Sequence, residues 1–148
     1  MNKHFTLTAV APVPPVSLKL KFADGHEATV DLTRIIESSP VLAPLNNPAV
    51  LACAALGEGG LIVSFGDDDM LELGADNLRA RAIEQAGGYS HEFLWNWMAK
   101  HSLTLDEAAR AIGISRRMLA YYRSGKNPVP KTVALACLGW ETCGKKAA

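Results

Sequence analysis

The sequence predicts an α+β module followed by an all-α module. In residues 16–73 apolar and polar residues alternate in short runs, which is typical of half-buried strands, whereas from residue 90 onward apolar residues recur at helical spacing. The chain can bury a core, because 49% of its 148 residues are hydrophobic and 20% are charged. Gly87 and Gly88 separate the two patterns. We therefore expect a first module of residues 1–87 and a second module of residues 88–148.

The first half of the first module is predicted to contain a β-hairpin and a short helix. Prolines make residues 11–15 extended. Residues 16–22 then alternate with period 2, an Asp-Gly turn follows, and residues 28–32 can return alongside them. Residues 32–37 have room for a short helix.

The second half of the first module is predicted to contain a second hairpin and a helix that leads to the boundary. Residues 40–48 are expected to form a loop, and residues 49–56 are compatible with either a buried helical turn or a strand. Residues 61–73 are predicted to form a hairpin around an acidic turn. Asp76 is predicted to cap a helix over residues 77–86, which the two glycines end.

A formal net charge of zero hides an asymmetry between the two modules. Residues 1–80 contain five basic and ten acidic side chains, whereas residues 81–148 contain ten basic and five acidic ones. Between residues 108 and 140 there are six basic residues and no acidic residue. A basic module beside an acidic one predicts that the second module binds a polyanion.

The sequence predicts a cytoplasmic protein. Its longest apolar stretch, residues 49–56, is far shorter than the roughly 20 residues of a membrane helix, and its first residues contain no signal-peptide core, so we expect no export. Cys53, Cys137 and Cys143 lack the paired spacing of a metal site and are predicted to be reduced.

The second module is predicted to contain an amphipathic helix over residues 91–101, followed by two helices joined by a tight turn. Thr104 and Glu107 have the spacing of a capping box, so a helix should begin at Leu105. Gly113 falls where a tight turn requires a positive φ, and Ser115 can cap the next helix. The inner face of that next helix is predicted to contain Ile114, Met118 or Leu119, and Tyr122.

Residues 90–140 resemble the helix-turn-helix family of lambda repressor and Cro, most strongly over residues 105–130. The run Ser124-Gly125-Lys126-Asn127 resembles the turn that closes the recognition helix in that family. The resemblance implies a lambda-repressor-like domain whose second motif helix enters the major groove of double-stranded DNA. It implies that the base-facing residues are Ser115, Arg116, Arg117, Ala120 and Tyr121, and that the residues near phosphates are Arg123, Lys126, Asn127, Lys131 and Thr132.

These features predict a bacterial transcriptional regulator that binds double-stranded DNA sequence-specifically as a homodimer. The acidic first module is similar to a small bacterial α+β domain of unknown function that precedes such repressor-like modules. Its strand edges could pair across a two-fold axis, and Trp95 offers an alternative interface. The alternative function is an antitoxin-like protein-interaction module with secondary DNA binding, in which the first module binds a partner protein.

Neither an enzyme nor a cofactor is expected. No nucleophile, base and orienting residue appear at a recognisable spacing. The three aspartates at 67–69 lack the spaced oxygen ligands of a calcium loop, so they are interpreted as a solvated hairpin turn. His26 lies near Asp24 and Asp31 and is interpreted as a surface residue of the first hairpin.

Overall fold

The computed structural model describes residues 2–143, and the chain divides into two compact units between Gln85 and Ala86. The first unit contains two three-stranded antiparallel sheets, in which sequential strands are neighbours. Its strands are β1 (Leu7–Val13), β2 (Ser17–Phe22), β3 (Glu27–Asp31), β4 (Ala54–Leu56), β5 (Ile62–Phe65) and β6 (Glu72–Gly74). Its helices are α1 (Thr33–Ser38), α2 (Pro48–Leu51) and α3 (Ala75–Gln85), with 3₁₀ turns at Lys3–Phe5, Pro40–Asn46 and Glu58–Gly60.

Alternation along the strands builds the core of the first unit. On β2, the side chains of Leu18, Leu20 and Phe22 are buried, whereas those of Lys19 and Lys21 are exposed. These apolar side chains join one cluster with residues of β3, β5 and α3. The predicted pairing of residues 16–22 with 28–32 is confirmed, since Leu18 pairs with Val30 and Leu20 with Ala28.

Both predicted hairpins are present, as β2–β3 and β5–β6, and each belongs to a sheet with one further strand that the hairpin prediction did not include. The side chains of β1 do not alternate between buried and exposed with period 2. Most of them are not buried, and the register of β1 with β2 shifts between Leu7 and Ala9. Pro12 has no N–H donor, which β1 tolerates as an edge strand. Residues 49–56, left open between helix and strand, contain parts of both, since α2 is followed by β4.

Two helix boundaries and one loop also differ from the prediction. Asp76 is not the N-cap of α3, because the helix begins at Ala75 directly after β6, and the Asp76 carboxylate accepts a hydrogen bond from the Asn77 N–H at 2.8 Å within the first turn. Helix α1 begins one residue later than expected, at Thr33, whose N–H and hydroxyl both donate to the Asp31 carboxylate. The loop expected over residues 40–48 contains the 3₁₀ turn Pro40–Asn46.

The second unit is helical wherever the structure describes regular secondary structure in it. Its helices are α4 (His91–Lys100), α5 (Leu105–Ile112), α6 (Arg116–Arg123) and α7 (Lys131–Thr142). Ser90 caps α4 by accepting a hydrogen bond from the Phe93 N–H. All four helices contribute to one core cluster, whose buried members are Leu94, Trp97, Met98, Ala108, Ala109, Leu119, Val133 and Cys137.

None of the helices described within residues 2–143 is long and apolar enough to cross a membrane.

Candidate functional site

Local signals in the sequence fix the ends of α5 and the start of α6. The Glu107 N–H donates to the Thr104 hydroxyl at 3.2 Å, and the Thr104 N–H donates to the Glu107 carboxylate at 3.0 Å, which completes the capping box. The hydrogen bond from the Thr104 backbone lowers the pKa of Glu107. Gly113 ends α5 with φ 76°, and the Ser115 hydroxyl accepts a hydrogen bond from the Met118 N–H at the start of α6. The predicted helix start at Leu105, the turn at Gly113 and the helix cap at Ser115 are therefore confirmed.

Small side chains allow α5 to pack closely against its neighbours. Ala108 and Ala109 are buried on α5, where a larger side chain would separate the helices. On the inner face of α6, Leu119 is fully buried, and Met118 and Tyr122 are half-buried. The opposite face of α6 is thereby left to solvent.

The five predicted base-facing residues lie at the start of α6 and along this outer face. Ser115, Arg116 and Arg117 are exposed, and Ala120 and Tyr121 are half-buried. The Arg117 side chain lies along the helix, donating from Nε to the Tyr121 hydroxyl at 2.8 Å, with its guanidinium 5.4 Å from the centre of the Tyr121 ring. Arg117 and Tyr121 therefore act as one pair on the surface.

Arg116 pairs with an acidic residue of α5 that sequence reasoning did not single out. Its Nη1 lies 3.2 Å from the Asp106 Oδ2, and both side chains are more than half exposed, at 65% and 58%. The pairing could not be read from the charge pattern, because it depends on how α5 and α6 cross. The outer face of α6 thus includes one carboxylate contributed by another helix.

Four of the five predicted phosphate residues fall into two groups. Near the end of α6, the Lys126 ammonium lies 4.2 Å from the centre of the Tyr121 ring, and the Asn127 N–H donates to the Tyr121 carbonyl at 3.2 Å. Lys131 and Thr132 form the second group and are exposed in the first turn of α7. Pro130 precedes α7, and no side chain caps the N–H groups of its first turn among the described residues.

Arg123, the remaining predicted phosphate residue, packs against Trp95 of α4. Its guanidinium lies 4.1 Å from the centre of the indole ring, and the indole N–H donates to the Arg123 carbonyl at 3.2 Å. Trp95 was predicted only as an alternative interface, and its contact with Arg123 was not predicted. The Trp95 side chain is not part of the core, since it is 49% exposed.

Behind this face, aromatic and ionisable side chains stabilise the junction of α4 and α7. His101 Nε2 lies 2.8 Å from the Glu141 carboxylate, and this hydrogen bond lowers the pKa of Glu141. The rings of Trp97 and Trp140 meet edge to face, with centres 5.6 Å apart. Burial, and secondarily the charge of Glu141, raises the pKa of Cys137 to about 12, so this thiol is protonated at neutral pH and packs as an apolar side chain.

The first unit contains a separate polar cluster that connects α3 to the first sheet. Arg79 donates to both carboxylate oxygens of Asp24 at 3.0 Å, and His4 Nδ1 lies 2.8 Å from the same carboxylate. Although burial opposes it, hydrogen bonding from Arg79 and His4 holds the pKa of Asp24 well below its usual range. His26 contributes its backbone N–H to Asp24 at 3.1 Å.

A cavity in the first unit lacks the features of a ligand site. This cavity of about 650 Å³ is bordered by α1 and α3, but Asp31 in its wall is already bonded to Thr33, and Arg81 is paired with Glu84. Across residues 2–143, no group of three or more His, Cys, Asp or Glu side chains is placed to hold a metal ion. The polar surface of α5, α6 and α7 is therefore the strongest candidate site.

Comparison with solved structures gives an informative match. The chain is similar to a protein from Nitrosomonas europaea whose crystal structure is described as that of a "Putative DNA Binding Protein". The two chains are 41% identical, the match covers 95% of this chain and 90% of the other, and the TM-score is 0.80. No protein-family model and no curated protein matches the chain.

Proposed function

Because this chain belongs to the same family as the Nitrosomonas europaea protein, we propose that it binds double-stranded DNA sequence-specifically, as a bacterial transcriptional regulator of the lambda-repressor-like helix-turn-helix class. The observation that carries the proposal is the outer face of α6, where Arg116 and Arg117 follow a tight turn and a capped helix start. In a helix-turn-helix, residues at the start of the second helix meet the edges of base pairs in the major groove.

Arginine at these two positions supplies the chemistry for reading bases. Its planar guanidinium can donate to both O6 and N7 of guanine, and such a bidentate contact discriminates against other bases by about 1–3 kcal/mol. The ion pair between Arg116 and Asp106 competes with that contact, but an exposed pair of this kind is worth only about 0–1 kcal/mol. Guanine should therefore displace Asp106 from Arg116.

Groups on both sides of α6 supply contacts that do not depend on sequence. Lys126 and Lys131 attract phosphates as point charges, and Asn127 and Thr132 can donate hydrogen bonds to them. The uncapped N–H groups at the start of α7 are also suited to a phosphate oxygen, since the positive end of the helix dipole lies there. These contacts give affinity and orientation, while Arg116 and Arg117 give discrimination.

The first module contributes to assembly in this proposal and makes no DNA contact. Its excess of five acidic residues over residues 1–80 would be repelled by phosphates. A homodimer would place two α6 helices on successive half-sites, which a single short helix cannot cover. The proposal assigns binding, and no reaction, to the chain.

The proposal is tested by titrating full-length protein into fluorescently labelled bacterial genomic DNA fragments at about 50 mM and about 200 mM salt. We expect the protein to bind DNA at the lower salt concentration and to lose most of its affinity at the higher one. The Arg116→Ala/Arg117→Ala double variant should bind more weakly, whereas Arg34→Ala, which removes an exposed arginine from α1, should bind like the wild type. No binding at the lower salt concentration would contradict the proposal.

A further inference from the structure

Trp95 occupies an unusual place for a tryptophan in this unit. Its neighbours on α4, Leu94, Trp97 and Met98, are buried in the core, whereas Trp95 is 49% exposed and points away from that cluster. It nevertheless makes two contacts with Arg123, a residue 28 positions later in the chain. The apolar core does not explain these contacts, because Trp95 is not among its members or the hydrophobic side chains packed against it.

The first contact completes the hydrogen bonding at the carboxyl end of α6. The last four carbonyls of a helix have no partner within the helix itself. In α6 three of them accept backbone N–H groups that follow the helix: Ala120 from Ser124, Tyr121 from Asn127 and Tyr122 from Gly125. The fourth, that of Arg123, accepts the indole N–H of Trp95 at 3.2 Å. Trp95 therefore caps α6 from another helix and fixes the end of α6 relative to α4.

The second contact restricts the Arg123 side chain without occupying its donors. The guanidinium carbon lies over the indole ring, 4.1 Å from its centre. A cation–π contact uses none of the N–H donors, and a guanidinium can bind a phosphate through two of them. Within residues 2–143 no carboxylate pairs with Arg123, in contrast to Arg116 with Asp106. A stacked arginine loses less conformational freedom on binding than a free one.

We propose that Trp95 is a positioning residue for DNA binding, which holds the end of α6 in place and presents the Arg123 guanidinium to a backbone phosphate. The inference rests on the proposed function and adds a residue of α4 to it. Trp95 acts through Arg123, so its removal should weaken binding to all sequences alike and leave discrimination between sequences unchanged.

The test compares the salt dependence of DNA binding for four full-length variants with that of the wild type. Removing one phosphate-binding group lowers the slope of log K against log salt concentration by about 0.9. We expect Arg123→Ala and Trp95→Ala each to lower the slope by about this amount, and the double variant to lower it no further. Leu135→Ala is the matched control, because Leu135 is also 49% exposed but lies on α7 and is not part of the Trp95–Arg123 pair.

A second Trp95 variant separates positioning from folding. Trp95→Phe keeps a ring for Arg123 and removes the indole N–H, so we expect it to retain the wild-type slope while melting at a lower temperature. A Trp95→Ala variant that keeps the wild-type slope, or a double variant whose effect is the sum of the two single effects, would overturn the inference. Absence of DNA binding by the wild type would overturn the proposed function and this inference together.

Discussion

Asp106 places a negative charge beside the arginine that we assign to base recognition. Asp106→Asn frees Arg116 and removes repulsion of DNA phosphates, so binding to DNA of any sequence should strengthen by up to about 1 kcal/mol. Fluorescence anisotropy at low salt measures the change. Asp67→Asn removes the same charge from an exposed turn of the first unit and serves as the control. Unchanged or weaker binding by Asp106→Asn would show that this carboxylate lies away from the bound DNA.

Asp24 gives the first unit a distinctive dependence on pH. Its pKa in the folded protein lies below the ordinary value of about 3.9, so the stability it contributes is present above that value and is lost as the pH falls toward the folded pKa. At pH 7 we expect Asp24→Asn to lower the free energy of unfolding of this unit by about 1.5–3 kcal/mol, because Arg79 loses a charged acceptor.

The difference in the free energy of unfolding between the wild type and Asp24→Asn should become smaller as the pH falls from about 4 to about 2. Circular dichroism during urea unfolding follows the whole chain. Tryptophan fluorescence provides an internal control, since Trp95, Trp97 and Trp140 all lie in the second unit. A difference that stays constant over this range would mean that Asp24 does not titrate as its hydrogen bonds imply.

At the level of elements, substitution of two glycines of the second unit should change its stability in opposite directions. Gly113 has φ 76°, so Gly113→Val should cost about 1–3 kcal/mol from backbone strain, even though no atom lies within 4 Å of the added Cβ. Gly139 lies inside α7 in equally open space, and Gly139→Ala should stabilise the unit by about 0.5–1 kcal/mol. Thermal unfolding followed by fluorescence measures both effects. Equal stability of Gly113→Val and wild type would contradict the need for a left-handed turn.

The elements that could be predicted from the sequence are those whose signals are local. The capping box at Thr104, the turn at Gly113 and the cap at Ser115 each depend on residues within a few positions of one another. Strand β1 was not predicted and β4 was left open between helix and strand, because membership of a sheet depends on pairing partners and not on the strand's own residues alone. The same distinction holds in the candidate site. The outward arginines of α6 follow from helical spacing, but the partners Asp106 and Trp95 become visible only when the helices are packed.

At the level of the whole molecule, we predict that the protein is a homodimer. The first module is the proposed interface, although Gln85 already bonds both the N–H and the carbonyl of Asp31, which covers that end of the edge strand β3. Light scattering on the full chain and on fragments 1–86 and 88–148, each of which has its own core cluster, measures the assembly. We expect a dimeric full chain, a dimeric first fragment and a monomeric second fragment. A monomeric full chain at micromolar concentration would rule out a dimer formed by the free protein.

Recognition of DNA through α6 is tested most directly by comparing two classes of variant on two DNA fragments. The fragments are the one that the full-length protein binds best from genomic DNA and a scrambled version of it. We predict that Arg116→Ala and Arg117→Ala each weaken the binding free energy for the best fragment by about 1–3 kcal/mol and change that for the scrambled fragment little. Lys126→Ala and Lys131→Ala should weaken binding to both fragments alike and lower the slope of log K against log salt concentration by about one. Identical behaviour of the two classes, or a wild type that does not distinguish the fragments, would contradict base recognition by this helix.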